Sequence, residues 1–451
     1  MDKKQNFTEG KIFSPLVQFA LPVLVALFLQ TMYGAVDLLI VGQFGGEFSE
    51  VYVSAVSTGS QIMQSVTVVV TGLAMGLTVF VGLKIGAKLK EEAGKIIASG
   101  IWLFSVIGVA LTIIMMISAK MMAQVMQAPP EAFRQTVLYI MICSGGAVFI
   151  VAYNLVGSIF RGIGDSKIPL ITVAIACVFN IAGDLLLVAV FHLGAAGAAL
   201  ATVFAQAVSV FLSLLIIRKR EVPFAFSVRD IRPDKKYIAE TLRLGLPIAL
   251  QDLLVSISFL VIIAIVNGLG LVASAGVGVA EKMCGFLMLV PSAFMQSMSA
   301  FVAQNIGAKK PERARKTMLY GIASSLIAGI IMAYLTFFHG ELLAGIFAKE
   351  TSIILAAADY LKAYAIDCLL TSFLFCMIGY FNGCGSTTFV MIQGIAGAFG
   401  VRIPVSWYMS RQAGVTLFGI GLATPISTCV QILLCGLYFV VLLRKQRWEN
   451  E

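Results

Sequence analysis

Charged residues are scarce in this chain. Only 12% of its 451 residues are Asp, Glu, Lys or Arg, while 59% are hydrophobic; a soluble domain carries roughly 25% charged residues. This shortage excludes an ordinary soluble fold. The net charge of +9 does not indicate a nucleic-acid partner, because the basic residues lie in short loops. With only two histidines, both near predicted loops, the chain is a poor candidate for a metal site.

Several chemical motifs are also missing. The eight cysteines form no C-x-x-C pair and fall in or near apolar runs, which predicts buried thiols. No G-x-x-x-x-G-K-[ST] loop occurs, so nothing supports ATP as the energy source. Because metal-ligand clusters and nucleophile motifs are absent too, we expect no enzyme and no cofactor. The first residues do not resemble a cleavable signal peptide, and we expect the first helix to stay in the mature protein.

Long apolar runs dominate what is present. Their length, about 20–28 residues, suits membrane-spanning helices, since a helix needs about 20 residues to cross a bilayer. We predict an all-α polytopic membrane protein with twelve spans. They run approximately over 15–41, 52–82, 95–118, 133–158, 167–191, 195–218, 240–267, 272–303, 317–338, 356–381, 388–410 and 415–443.

Lys and Arg divide unequally between the two sides of these spans. The N-terminus, the C-terminus and the loops between them on the same side hold 25 of the 32 basic residues. By the positive-inside rule this places both termini in the cytoplasm of a cell (inner) membrane.

The two halves of the chain repeat each other. Six helices per repeat is an even number, which predicts two six-helix bundles related by a pseudo-two-fold axis along the membrane normal. We therefore expect an N-terminal lobe (1–218), a cytoplasmic linker (219–239) and a C-terminal lobe (240–451). The matches are Leu21-Pro22 with Leu246-Pro247, Ile85–Lys88 with Ile306–Lys309, Gly162-x-Gly164 with Gly383-x-Gly385, and Gly197–Thr202 with Gly419–Thr424.

Asn180 and Asp184 stand four residues apart in the apolar run Ile168–Phe191, so they share one face of a helix. A carboxyl group in such a helix costs about 2.5–3.5 kcal/mol on insertion scales. A polar pair that fastens two helices together is one explanation. The other is a site for an ion or a proton.

The first predicted helix carries Gln30, Tyr33 and Asp37 at near-helical spacing, and Pro22 lies about four turns before Asp37. An interior proline removes one backbone hydrogen bond and can kink a helix. A helix that can kink and carries a titratable group is a candidate moving part; an ordinary proline near the helix entry is the alternative.

If Asp37 and Asp184 face each other, the pair can hold a proton, because apolar surroundings and a neighbouring carboxylate both favour the neutral acid. Alternatively, their oxygens, the Asn180 carbonyl and the Thr202 hydroxyl could bind a small cation such as Na⁺. The residues leave H⁺ and Na⁺ equally open. The repeat-related positions carry Ile262 and, approximately, Val405.

These features resemble the multidrug and toxic compound extrusion (MATE) family over nearly the whole chain. The absence of an acid at Val255-Ser256-Ile257 departs from members with a seventh-helix Glu and favours the DinF-like branch. The motifs that carry the resemblance are Leu21-Pro22, Tyr33–Gly42, Phe160–Pro169, Asn180-x-x-x-Asp184, Gly197–Thr202 and Val302–Ala308.

The resemblance implies a secondary transporter that exports organic cations and other amphipathic drugs in exchange for H⁺ or Na⁺ by alternating access. It implies a cation site at Asp37, Asn180, Asp184 and Thr202, with Tyr139 as a further partner. It also implies that the first helix bends at a hinge near Pro22. A metal role for the first three would apply only to Na⁺ coupling. A lipid-linked oligosaccharide flippase of the same superfamily is the alternative function.

Other polar residues inside the apolar spans are candidates for contact with small-molecule substrates. A carboxylate that faces a cavity would attract a cation, whereas Glu281 beside Lys282 could instead serve structure. We expect membrane lipid as the surroundings, no nucleic acid as a partner, and a monomer. The substrate candidates are Gln30, Tyr33, Gln61, Gln251, Asp252, Glu281 and Asp367.

Overall fold

The computed structural model describes residues 7–219, 224 and 230–448, and within these ranges the chain is helical with no β-strand. The predicted all-α fold is confirmed. In chain order the helices are α1 (Phe13–Phe44), α2 (Ser49–Gly86), α3 (Lys90–Val125), α4 (Pro130–Gly145), α5 (Ala147–Ile163), α6 (Lys167–Asp184), α7 (Gly194–Lys219), α8 (Lys235–Asn267), α9 (Leu271–Leu287), α10 (Leu289–Gly307), α11 (Pro311–Phe338), α12 (Gly340–Ala344), α13 (Thr351–Gly383), α14 (Thr387–Gly397), α15 (Ile403–Ser410), α16 (Leu417–Gly421) and α17 (Ala423–Trp448).

Eleven stretches of the described chain are long and apolar enough to cross a membrane, and the pair α4–α5 makes a twelfth if it counts as one bent span. This agrees with the twelve predicted spans. The predicted helix 133–158 is broken, since α4 and α5 meet at an angle of 51°. The break falls at Gly146, where an added Cβ would lie 2.5 Å from the Val203 side chain. A larger residue there would keep α7 from packing so closely.

The internal repeat is visible in the backbone. Lys88 and Lys309, which are 221 residues apart, both adopt left-handed conformations with φ of 60° and 57°. Gly164 and Gly385 do the same with φ of 90° and 80°. Only glycine adopts such angles at little cost, which explains the recurring Gly-x-Gly. The two halves thus use the same turns between corresponding helices.

The chain divides into two compact units, and α1 and α8, which carry the interior prolines Pro22 and Pro247, each contribute to both of them. The first unit spans Leu21–Ala249, and the second combines Asn6–Ala20 with Leu250–Glu451. The boundary in α1 falls between Ala20 and Leu21, and that in α8 falls two residues after Pro247. The lobe division at 218 and 240 stays a prediction. Residues 220–223 and 225–229 of the predicted linker lie outside the described residues.

Small residues explain why the first part of α8 belongs to the first unit. Gly72 and Gly76 of α2 meet Gly245 and Ala249 of α8 so closely that a Cβ at Gly76 would lie 2.4 Å from the Gly245 nitrogen. Each pair is spaced four residues apart and forms a small-residue stripe. Such stripes let helix backbones approach in a bilayer, where dispersion replaces the hydrophobic effect as the main packing force.

In the second unit, polar side chains hold the segment before α1 by its backbone carbonyls. Arg313 donates hydrogen bonds of 2.7–3.2 Å to four of these carbonyls, including that of Phe7 at 2.9 Å. Lys310 and Asn305 each donate one more. The Phe7 ring is buried and stacks on Phe301 with centroids 4.4 Å apart, so an aromatic anchor and these hydrogen bonds together fix the start of the described chain on the second unit.

Candidate functional site

The sequence-predicted polar residues of the first unit converge at one point. Thr202 of α7 donates a hydrogen bond to Asp37 Oδ2 of α1 at 3.2 Å. Asn180 Nδ2 of α6 lies 3.5 Å from Thr202 Oγ1, at the limit for a hydrogen bond. Asp37 and Asn180 are buried, with 4% and 1% of their surface exposed. Three helices that are distant in sequence therefore build one polar cluster.

Asp184 completes the cluster. Its side chain is fully buried and lies within electrostatic range of the Asp37 carboxyl group. Two ionised carboxylates offer only acceptor oxygens, so a direct hydrogen bond between them would need a proton on one of the two groups. The structure thus brings Asp37 and Asp184 together, which is the condition that the sequence analysis set for holding a proton.

Several oxygens of this cluster have no hydrogen-bond donor among the described residues. They are Asp37 Oδ1, Asn180 Oδ1 and both carboxylate oxygens of Asp184. Buried polar atoms normally find a partner, and exceptions need an explanation. Acceptor oxygens without donors suit a proton or a small hard cation. No group of three or more His, Cys, Asp and Glu residues able to hold a metal ion occurs in the described part of the chain.

The local structure at Asp184 is irregular. α6 ends at this residue and continues directly as a π-helical turn, Leu185–Val190. A π-turn contains about one more residue than an α-helical turn, so the side chains after it point in different directions. Such turns are frequent at functional sites. The side chains at Asn180 and Asp184 thus share a regular face, while the next turn is offset from it.

A cavity of about 10 Å³, room for about one water molecule, adjoins the cluster beside Asn180 and Thr202. Tyr33 and Gln206 line it and are within hydrogen-bonding reach of each other. Tyr153 lines it as well and accepts a hydrogen bond from Gln30 Nε2 at 2.8 Å. Polar side chains therefore continue from Asp37 along the same face of α1.

Tyr139 stands near this cluster but has a different hydrogen-bonding neighbour. It is buried in α4, where its ring fills the space beside Gly59, and its hydroxyl approaches the Cys143 thiol. It lies within electrostatic range of Asp37. Its part in the cation site stays a prediction.

The second unit contains a separate buried polar cluster. Tyr360 and Tyr364, one turn apart in α13, donate hydrogen bonds to Glu281 Oε1 at 3.3 and 3.2 Å. Arg402 donates to Ser258 Oγ at 3.0 Å and lies over the Phe259 ring, 4.3 Å from its centroid. The acid and the base thus have internal partners, which fits a structural role as well as a ligand-facing one.

Asp367 also has an internal partner, because Thr428 donates a hydrogen bond of 2.6 Å to its Oδ1. The Gln251 side chain packs against Gly394, and its Oε1 has no partner within the described chain. Asp252, the next residue after Gln251, is half-buried. Gln61, which lies on α2, is exposed. The role of these four residues in substrate binding stays a prediction.

Sequence reasoning missed some partners. Gln206 stands four residues after Thr202 in α7, so helical spacing could have placed it beside the predicted site. The same spacing relates Tyr360 to Tyr364. Tyr153 gave no such signal, because its contact with Gln30 joins helices that are 123 residues apart.

Similar proteins are known. The chain is 25% identical over 450 residues to the "Probable multidrug resistance protein YoeA" of Bacillus subtilis (strain 168), covering 98% of this chain and 96% of that protein. It is 24% identical over 415 residues to the "Multidrug export protein MepA" of Staphylococcus saprophyticus subsp. saprophyticus, covering 91% of this chain and 90% of that one.

Solved structures share the fold. One described as the outward-facing conformation of a multidrug resistance MATE family transporter of the MOP superfamily superposes with a TM-score of 0.91 at 21% identity, covering 100% of both chains. Another, described as a MOP superfamily transporter from Pyrococcus furiosus, gives a TM-score of 0.90 at 20% identity and covers 97% of each chain. At such identities these matches establish the fold alone.

The MatE family profile matches the chain twice, over residues 22–186 and 247–408. The two matches begin at Pro22 and Pro247, so they reproduce the internal repeat, and together they cover most of the chain. The chain is therefore a multi-pass membrane protein that belongs to the MatE family of transporters.

Proposed function

We propose that this protein exports organic cations and other amphipathic drugs from the cell in exchange for H⁺ or Na⁺. The observation that carries the proposal is the buried pair of carboxyl groups, Asp37 and Asp184, with acceptor oxygens that lack donors. A group that gains and loses a cation during each cycle can link an ion gradient to cargo movement. The two relatives named above are described as multidrug resistance and export proteins, which supports the substrate class.

The proximity of two buried carboxyl groups is our reason to propose H⁺ before Na⁺ as the coupling ion. A shared proton satisfies both groups without further ligands, whereas Na⁺ would need oxygens on several sides. Asn180 and Thr202 would then act as positioning residues that hold Asp37 in place. In the Na⁺ alternative, Asp37, Asn180 and Asp184 would supply the ligands.

The cycle we propose is alternating access, with α1 as a moving part. Pro22 removes a backbone hydrogen bond from α1. The helix passes from one compact unit to the other between Ala20 and Leu21, one residue before this proline. A helix that joins two units at a weakened turn can bend there. This supports Pro22 as the hinge between the anchored start of α1 and the part that carries Asp37.

The remaining features of the proposal follow from the class of protein. We infer location in the cell (inner) membrane with both termini in the cytoplasm, because the basic residues concentrate on that side. The transporter acts as a monomer without an organic cofactor, and it catalyses no covalent reaction. The flippase alternative has less support, since the relatives named above are drug exporters.

Purified protein reconstituted in vesicles tests this function and identifies the ion. Ethidium efflux is measured under an imposed pH gradient with no Na⁺ gradient, and separately under a Na⁺ gradient at equal pH. We expect the pH gradient to drive export. Export driven by the Na⁺ gradient alone would assign Na⁺ instead, and no export under either gradient would refute the antiport function.

A further inference from the structure

An open cleft of about 740 Å³ lies in the second unit, where the segment before α1 meets the start of α11. Its volume falls within the range of small-molecule sites. Four lysines and an arginine line it, against one lining acid, Glu312, whose carboxylate is paired with Arg315. The basic residues are Lys11, Lys309, Lys310, Arg313 and Lys316.

Two of these cations already have a structural task. Arg313 and Lys310 hold the segment before α1 through its backbone carbonyls, with Lys310 Nζ 2.8 Å from the Thr8 oxygen. The side chains of Lys11, Lys309 and Lys316 are exposed and make no ion pair or hydrogen bond with any described residue. The hydrogen-bonded anchor therefore brings three unneutralised ammonium groups to one cleft.

The surroundings of the cleft match the edge of a bilayer. The exposed rings of Phe13, at the start of α1, and Tyr320, in the third turn of α11, lie 6.3 Å apart, and Tyr is typical of the membrane interface. Leu319 and Ile327 continue along α11 as exposed apolar side chains, 62% and 61% accessible. A ligand with an anionic head in the cleft could thus lay apolar chains along α11, which free phosphate cannot do.

We propose that this cleft binds the phosphate-bearing headgroup of an anionic phospholipid, such as phosphatidylglycerol, on the side of the membrane that holds the N-terminus. The three lysines and the positive N-terminal end of α11 would contact the phosphate. The bound lipid would fasten the start of α1 more firmly to the second unit, and so stabilise the anchored side of the Pro22 hinge.

The internal repeat provides a matched control. Lys88 and Lys95 stand 221 residues before Lys309 and Lys316, are exposed in the same way, and carry the same charge. The two places differ at Glu92, which stands where the cleft has Arg313 and pairs with Lys84 at 2.7 Å. Removal of two charges at each place therefore distinguishes lipid binding in the cleft from a general effect of basic residues on lipid affinity.

The test titrates dioleoyl phosphatidylglycerol into the full-length protein in dodecyl maltoside and follows the thermal unfolding midpoint. Phosphatidylcholine with the same chains and inorganic phosphate are the comparison ligands. We expect phosphatidylglycerol alone to raise the midpoint. Lys309→Gln/Lys316→Gln should weaken its apparent affinity roughly tenfold, because each lysine near an anionic surface contributes several-fold, while Lys88→Gln/Lys95→Gln leaves the affinity unchanged.

An equal response of both double variants would overturn the proposal. So would an equal response to phosphatidylcholine, which means no headgroup selection, or to inorganic phosphate, which means an anion site without lipid. If Lys309→Gln/Lys316→Gln does not fold, Lys11→Gln removes one charge from the exposed N-terminal side; unchanged affinity in that variant would likewise contradict the proposal. None of these results depends on transport.

Discussion

Four side chains from three helices form the predicted cation site, and each has a distinct chemical part. Asp37 and Asp184 supply the titratable groups, Thr202 donates to Asp37 Oδ2, and Asn180 approaches the Thr202 hydroxyl. Burial makes an unpaired charge costly, so a cation must accompany any ionised state of the pair. This requirement links the charge of the site to the transport cycle.

Asp184→Asn should abolish ethidium export, because the amide keeps the size of the carboxyl group but cannot exchange a proton. Asp37→Asn should behave alike. The measurement is efflux from vesicles at equal protein content, with monodisperse elution in size-exclusion chromatography as the control for folding. Export at the wild-type rate by either folded variant would refute the role of that carboxyl group.

Thr202→Val should weaken the coupling of export to the cation gradient, but less than the loss of either carboxyl group does. It keeps the shape of the side chain and removes only the hydrogen bond to Asp37, which contributes about 1 kcal/mol and thus a factor of about five in cation affinity. The readout is the pH at which export is half-maximal. Thr202→Ser retains the donor and should restore the wild-type profile; an unchanged profile in Thr202→Val would show that the bond is unimportant.

Close contacts between helices hold the fold together, and the contact of α2 with α8 can be tested by a single substitution. Gly76→Ala places a methyl group 2.4 Å from the Gly245 nitrogen, so the backbones must separate. Overpacking of this kind costs about 1–3 kcal/mol. We expect a lower thermal unfolding midpoint for the detergent-solubilised protein.

Gly436→Ala in α17 is the control for this substitution, because nothing lies within 4 Å of its added Cβ. It should leave the midpoint unchanged. Equal midpoints for Gly76→Ala and the wild-type protein would mean that the two helices tolerate separation.

Pro22→Ala should slow export several-fold without loss of stability. The alanine restores a backbone hydrogen bond in α1 and stiffens the turn where the helix passes between the compact units. Pro130→Ala is the matched control, since Pro130 is the first residue of α4, where proline removes no intrahelical bond. Equal export by Pro22→Ala and the wild-type protein would exclude the hinge.

The length and hydropathy of the apolar runs were sufficient to predict the helices, because a bilayer allows an apolar run of this length few structures other than a helix. They could not predict the break at Gly146, which depends on the Val203 side chain of a different helix. The π-turn after Asp184 was missed for a similar reason: an apolar run such as Leu185–Val190 has the same composition in either kind of helix. Spacing within one helix found Asn180 with Asp184, whereas contacts between helices, such as Gln30 with Tyr153, needed the structure.

Across the whole molecule, two halves with the same turns carry different chemistry. The left-handed turns at Lys88 and Lys309 recur at a separation of 221 residues, but the carboxyl pair of the first unit has no acidic counterpart at Ile262 or near Val405. Repetition in the sequence predicted the scaffold, and departures from that repetition marked the residues that the structure brings together. The second unit instead surrounds its acids with internal partners, as Tyr360 and Tyr364 do for Glu281.

Proton release on cargo binding tests the coupling most directly. Ethidium is added to purified protein in weakly buffered detergent solution with a pH indicator. If cargo and proton compete for the same state of the protein, binding must release the proton, because linkage between two ligands is reciprocal. We predict proton release by the wild-type protein and none by the Asp37→Asn/Asp184→Asn double variant. Ethidium binding to the wild-type protein without proton release, or equal release by the double variant, would contradict the central role of this carboxyl pair.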